Sequence, residues 1–265
     1  MKYIGKKLKI EKIDVQNIAK KFGTPAYCYS YQKLKKNISN FKNSFKSFTP
    51  IICFAIKSNT NVNLVKEIKK FGLGADVVSL GELILAIKAG INPKKIVFSG
   101  VGKTYEEIEF AARKKILLIN TESQSEIETI LKVAKKYKRS VDIGIRLNPN
   151  VDARTIKEIT TGKDLNKFGL SDKEIIKIIN KYKNSKYLNI KCLSVHIGSQ
   201  ITNHTPYIKM LKAIQKIIDK SSFHFEYVDL GGGMGINYGQ NTHNLNYKKY
   251  SHQINKFVKK NNAKI

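Results

Sequence analysis

Lys57 stands in CFAIKSNTN, directly after an apolar run that reads as a buried strand. A lysine at such a strand end, facing a partly enclosed pocket, has its ammonium form disfavoured by lost hydration. The neutral amine can then condense with a carbonyl to form an imine. His196, in SVHIGSQ, lies in an apolar strand pattern. On local pattern alone it is either a satisfied core histidine or a flat imidazole that stacks on a planar heteroaromatic ring. Ser199 follows with a hydroxyl suited to a phosphate, and the triplet Gly231, Gly232 and Gly233 in DLGGGMG exposes backbone N–H groups. Such a nest holds a phosphate monoester without charged side chains. A plain tight turn is the equal alternative at this point.

Two other motifs fail on spacing. SGVGKT, residues 99–104, ends like a phosphate loop, but the first glycine of G-x-x-x-x-G-K-T would fall at Val97. DLGGGMG follows a strand, yet its glycines do not match G-x-G-x-x-G, and the INYGQNTHN that follows is no helix start. Nucleoside triphosphate and dinucleotide chemistries lose their main support.

The elements that must position these residues repeat a single pattern. AYCYS reads as a short β-rich run leading into a helix near Tyr31 to Phe45. IICFAI, GADVVS, KIVFSG, ILLIN, VDIGIRL, KCLSVHIG and FEYVDL then read as seven strands separated chiefly by amphipathic segments. Strand then helix, repeated, means a parallel sheet. A last helical segment runs from about Leu245 to Lys260, and the sequence reaches NNAKI where an eighth strand would begin. Lys57, Asp76, Ser99, Asn120, Arg146, His196 and Gly231 to Gly233 all fall at the C-terminal ends of strands. In an α/β barrel these ends converge on one mouth. Residues 1–24 read as a segment preceding a barrel domain over 25–265.

Composition sets the outer bounds. The 265 residues are 42% hydrophobic and 26% charged, enough for a full globular core. No apolar run approaches the roughly 20 residues that span a bilayer, and the first residues lack a secretory core, so no membrane partner and a cytoplasmic address are expected. Cys28, Cys53 and Cys192 are odd in number and set among apolar or aromatic neighbours, which suits reduced core thiols better than disulfides or a zinc site. The net charge of +29 invites a polyanion reading, but lysine is spread over the polar side of nearly every helical segment. Solvated helix faces explain it, and no specific nucleic-acid site is expected.

In FGTPAYCYS, FAIKSN, GADVVSLGEL, IVFSGVGKT, NTESQSE, RLNPNVDARTIKEITTGKDLNKFGL, HIGSQ and DLGGGMGI, spanning residues 22 to 236, the chain resembles the diaminopimelate decarboxylases. These are pyridoxal-phosphate enzymes of the alanine racemase-like barrel class. The resemblance implies a TIM-like (β/α)8 barrel in which Lys57 holds pyridoxal phosphate covalently. His196 would stack on its ring, Ser199 and Gly231, Gly232 and Gly233 would bind its phosphate, and Asp76 and Arg146 would complete the pocket. No metal is implied. The implied reaction releases carbon dioxide from meso-diaminopimelate, a small-molecule amino acid, to give lysine, in an enzyme that works as a homodimer.

The sequence departs from this family in what it lacks. A Glu-Pro-Gly-Arg motif on the last barrel strand, and a C-terminal β domain with a cysteine, have no counterpart in these residues. The barrel is therefore expected to be incomplete at its last strand, and the chain to be an N-terminal part of a longer protein. Ile156 stands where the family commonly has histidine, which bears on substrate tuning. Two other readings remain open: decarboxylation of another basic amino acid, and a barrel that binds pyridoxal phosphate without catalysis.

Overall fold

A computed structural model describes residues 1–153, 168–237 and 244–265. Ile156 and most of INYGQNTHN lie outside them. The described residues fall into two compact units, Met1–Lys46 and Ser47–Ile265.

The first unit holds a small antiparallel sheet, β1 (Lys2–Ile4), β2 (Lys7–Ile10) and β3 (Ile13–Asp14), followed by α1 (Val15–Phe22) and α2 (Tyr31–Ser44). Asp14 caps α1 and Ser30 caps α2, each side chain accepting a backbone N–H of the first turn. Glu11 ties the sheet to α2 by accepting from Ser30 Oγ at 2.8 Å and from Gln32 N at 2.7 Å. The strand expected at AYCYS does not form: residues 26–30 carry no strand, and Tyr27 is 92% exposed. With no burial to gain, its aromatic content does not make a strand.

The second unit is built on seven strands: β4 (Cys53–Ala55), β5 (Gly74–Val77), β6 (Ile96–Phe98), β7 (Leu118–Thr121), β8 (Val141–Arg146), β9 (Leu188–Ser194) and β10 (Tyr227–Asp229). They pair in sequence order, every neighbour parallel, as in a TIM-like barrel. Helices α3 (Val62–Lys70), α4 (Leu80–Lys88), α5 (Tyr105–Lys114), α6 (Gln124–Lys136), α7 (Asp172–Tyr182), α8 (His204–Ser221) and α9 (Tyr247–Asn261) fill the connections. Strands covered by helices on one side and packed into a lumen on the other are apolar throughout, which is why they were legible.

The position of an eighth strand is marked by the last two residues. Val228 N donates to Lys264 O at 2.7 Å and Lys264 N to Glu226 O at 2.9 Å, while Ile51 N donates to Ile265 O at 2.7 Å. Lys264 and Ile265 thus lie between β10 and the approach to β4 and bond to both sides there. The inner wall nearby is apolar, with Val97, Leu117, Leu118 and Cys192 packed against Ile51, Cys53 and Tyr227.

All three cysteines are free, but Cys28 is exposed, so the core reading holds only for buried Cys192 and half-buried Cys53. Burial pushes both of these thiols well above the usual range. No helix among the described residues is long and apolar enough to cross a membrane.

Candidate active site

Parallel register places the C-terminal ends of the seven strands on one rim, around a cavity of about 610 Å³. Lys57, Asp76, Arg146, His196, Ser199, Gly231 and Gly232 all line it. Gly233 does not. Lys57 is the only lysine lining it among the described residues, and its side chain is exposed to the cavity rather than enclosed. A tight 3-10 turn over Ile56–Ser58, braced by Ser58 Oγ donating to Ala55 O at 2.7 Å, carries it off the end of β4.

One wall is made by two loops zipped together. Ile201 N donates to Gly233 O at 2.8 Å and Gly235 N to Ile201 O at 2.9 Å, which brings HIGSQ against DLGGGMG. Gly231 and Gly233 sit at φ +64° and +77°, where side chains are disfavoured. A Cβ on Gly233 would run into the carbonyl of Gly198, so this glycine serves loop packing. Tyr207, buried on α8, donates its hydroxyl to Gly232 O at 3.1 Å and fixes the turn from behind.

His196 belongs to that wall. Gly232 N, an obligatory donor, lies 3.3 Å from His196 Nδ1, so Nδ1 accepts and the ring proton resides on Nε2. Burial, followed by the nearby charges of Arg146 and Lys57, lowers the imidazole to about 4. The ring is therefore neutral at ordinary pH. Opposite in sense, burial and then the charge of Asp229 raise Asp76 to about 6, against a hydrogen bond from Ser99 and the charge of Lys57.

Arg146 is held more firmly than its expected pocket role required. Its Nη1 donates to Glu122 Oε1 at 2.6 Å, and its guanidinium lies 4.8 Å from the Phe168 ring centroid. Glu122 also accepts from Gly169 N at 2.9 Å. Lys103, from the rejected SGVGKT motif, has a buried role: its side chain is 1% exposed and donates to Gly100 O, Asn120 O and Glu126 Oε1 at 2.6–2.7 Å. Thr104 beside it forms a reciprocal cap with Glu107 at the start of α5. That segment is a helix start, and no phosphate loop.

Sequence alone gives Asp229 no role and Asn120 only a place among the polar residues at strand ends. In the structure Asn120 Nδ2 donates to Asp229 Oδ2 at 2.8 Å, and Ser194 Oγ donates to the same oxygen at 3.2 Å. The signal available was the acid immediately before the glycine triplet.

Residues 31–265 match the family described as pyridoxal-dependent decarboxylase, pyridoxal binding domain. The chain is 38% identical over 244 residues to the diaminopimelate decarboxylase of Aquifex aeolicus, covering 90% of this chain and 57% of that protein. It is 40% identical over 220 residues to that of Helicobacter pylori, covering 82% and 54%. The solved structure of diaminopimelate decarboxylase from Helicobacter pylori complexed with L-lysine superposes with a TM-score of 0.91 at 35% identity, over 95% of this chain and 64% of that one. The chain thus spans about half the length of these curated relatives. Lys57, a neutral histidine and a braced glycine turn on one barrel rim agree with the match along most of the sequence: the chain belongs to the pyridoxal-dependent decarboxylases, as their pyridoxal binding domain.

Proposed function

We propose that this chain forms the cofactor-binding barrel of a decarboxylase that converts meso-diaminopimelate to L-lysine with pyridoxal phosphate, the last step of lysine biosynthesis. The observation that carries the reading is Lys57: among the described residues it is the one lysine in a cavity that also presents His196, Ser199 and the glycine turn. The family match and relatives at 38–40% identity support the substrate.

The residues present fit the cofactor. Lys57 supplies a primary amine with room around it, and Gly232 has nothing within 4 Å of where a side chain would stand, leaving a cradle beside Ser199. When bound, pyridoxal phosphate supplies a conjugated ring that accepts the electrons left behind as carbon dioxide departs. Lys57 would hold the cofactor through its amine. His196, kept neutral, would offer a flat face to the ring without adding charge. Ser199 and the turn at Gly231 and Gly232 would hold the phosphate, and Gly233, packed against Gly198 off the cavity, would shape that turn. Asp76 holds or releases a proton beside Lys57 near pH 6, and Arg146, locked by Glu122, presents fixed positive charge to the cavity.

The reading also includes an amino-acid ligand, a homodimer in the complete protein, a cytoplasmic address and a barrel domain over 25–265 after a short leading segment. The family match from residue 31 onward supports that domain.

Borohydride reduction of the chain loaded with pyridoxal phosphate, followed by peptide mapping, tests the anchor. The label is expected on Lys57; a label on Lys103 overturns the assignment. Carbon dioxide release from meso-diaminopimelate, compared with lysine, ornithine and arginine as substrates, tests the reaction.

A further inference from the structure

Asp229 and Asn120 form a continuous hydrogen-bonded support behind the glycine turn. Asp229 Oδ1 accepts from Gly231 N at 2.8 Å, closing an Asx-turn over the first glycine of the triplet. Its other oxygen accepts from Asn120 Nδ2 at 2.8 Å and from Ser194 Oγ at 3.2 Å. Asn120 Nδ2 also lies 3.3 Å from Ser99 Oγ, the hydroxyl that bonds to Asp76. One chain of polar contacts therefore runs from β5 beside Lys57, through β6 and β7, to β10 and the turn.

The geometry at each end explains why the support is needed. A Cβ on Gly231 would meet Val195 O at 2.6 Å and His196 Nδ1 at 2.7 Å, so no other residue fits there. Glycine, however, populates φ of either sign. A hydrogen bond to Asp229 selects the observed +64° without occupying the space. At the other end, Asn120 Oδ1 is buried and has no hydrogen-bond partner. Turning the amide over would give that oxygen a different neighbour but set it against the Asp229 carboxylate, two acceptors face to face. The amide thus keeps an orphaned oxygen in order to keep the bond to Asp229.

We propose that Asn120 and Asp229 are positioning residues that hold the glycine turn in its phosphate-accepting shape without touching the phosphate. The proposal rests on the cofactor reading above and adds residues to it. Asp229 lines the cavity, but both of its oxygens accept from donors of the rim, which directs the carboxylate to the turn. Its removal should weaken recognition of the phosphate and, at about pH 8, where Asp76 is ionised with or without the charge of Asp229, leave the lysine-carbonyl end intact.

The test compares pyridoxal phosphate with pyridoxal, which lacks the phosphate, by titrating the visible absorbance of each when bound to the 265-residue chain. In Asp229→Asn, affinity for pyridoxal phosphate should fall by about tenfold or more, the scale of one lost charge-assisted hydrogen bond, while pyridoxal affinity stays within about twofold. Exchange of the Gly231 amide proton should accelerate in the same variant, with or without cofactor. The reversed pair, Asn120→Asp with Asp229→Asn, should restore much of the lost affinity. The amide introduced at 229 can accept from Gly231 and donate to the carboxylate introduced at 120. Should Asp229→Asn fail to fold, Asn120→Ala carries the same expectation in weaker form.

Equal loss for both ligands overturns the proposal, as does no loss for either. So does an unaltered chain that fails to favour the phosphorylated form. If the unaltered chain binds neither ligand, the cofactor reading fails first. The support is then judged by Gly231 exchange, and an unchanged rate in Asp229→Asn refutes it.

Discussion

Arg146 Nη1 lies 2.6 Å from Glu122 Oε1, and both side chains are almost completely buried, at 8% and 4% exposure. Two opposed groups removed from water satisfy each other in such a setting. Breaking the pair strands one of them. Glu122→Ala should therefore destabilise the fold by about 3–5 kcal/mol, measured by urea denaturation. Glu122→Gln should cost less, because an amide oxygen can still accept from Arg146 or Gly169 N. Equal and small effects from both would mean that water reaches Arg146.

Lys103→Met should also destabilise, and for a different reason. The lysine places all three of its N–H donors on Gly100 O, Asn120 O and Glu126 Oε1. Methionine matches its bulk but leaves these acceptors unsatisfied, at about 1–3 kcal/mol for each buried group that water cannot reach. The same variant should still take the borohydride label on Lys57. Loss of the label together with retained stability would give Lys103 the role assigned here to Lys57.

How much of this was readable beforehand follows from the range of the interactions. The seven barrel strands announce themselves because both faces are buried, and Lys57, His196 and the glycines gain meaning from lying at their ends. The antiparallel sheet of residues 2–14 escapes such a reading because its first two strands, KYI and KLKI, are only three and four residues long, and KYI is wholly exposed, too short for a period-2 pattern to stand out. Nor does sequence disclose that Lys103 pairs with Glu126 or Asn120 with Asp229. These partners are 23 and 109 residues apart, and only the curl of the sheet joins them.

Stability should respond to pH through two groups of opposite sign. Asp76 is raised to about 6 from 3.8, so the unfolded chain gives up this proton first, and stability attached to the protonated form is lost as pH rises from about 4 through 6. His196 is lowered to about 4 from 6.5, so the unfolded chain takes up a proton first, and stability is lost as pH falls from about 6.5 through 4. Asp76→Asn should therefore stabilise the protein at pH 7, by up to about 2 kcal/mol after allowance for partial exposure, with the advantage fading as pH falls from about 6 and gone below about 4. Denaturation curves across that range check it. A constant difference at every pH would exclude titration as the cause.

Gly144→Ala offers the sharpest test of how the rim is packed. Gly144 lies in β8, where the β8–β9 register shifts by one residue, and a Cβ there would run into Asn120 Oδ1 and come within 3.2 Å of Cys192 Cβ. The backbone at this position is not in the left-handed region, so the obstacle is space rather than φ. Asn120 cannot retreat without surrendering its bond to Asp229, and Cys192 is fully buried. Overpacking of this kind typically costs about 1–3 kcal/mol. Were the cost confined to packing, Gly144→Ala would lower the melting temperature and leave ligand preference alone. Because the displaced group is Asn120, the variant should also lose part of its preference for pyridoxal phosphate over pyridoxal. Combining it with Asn120→Ala, which vacates the contested space, should recover stability but not the preference. If the double variant is no more stable than Gly144→Ala alone, the collision lies with Cys192 and not with Asn120.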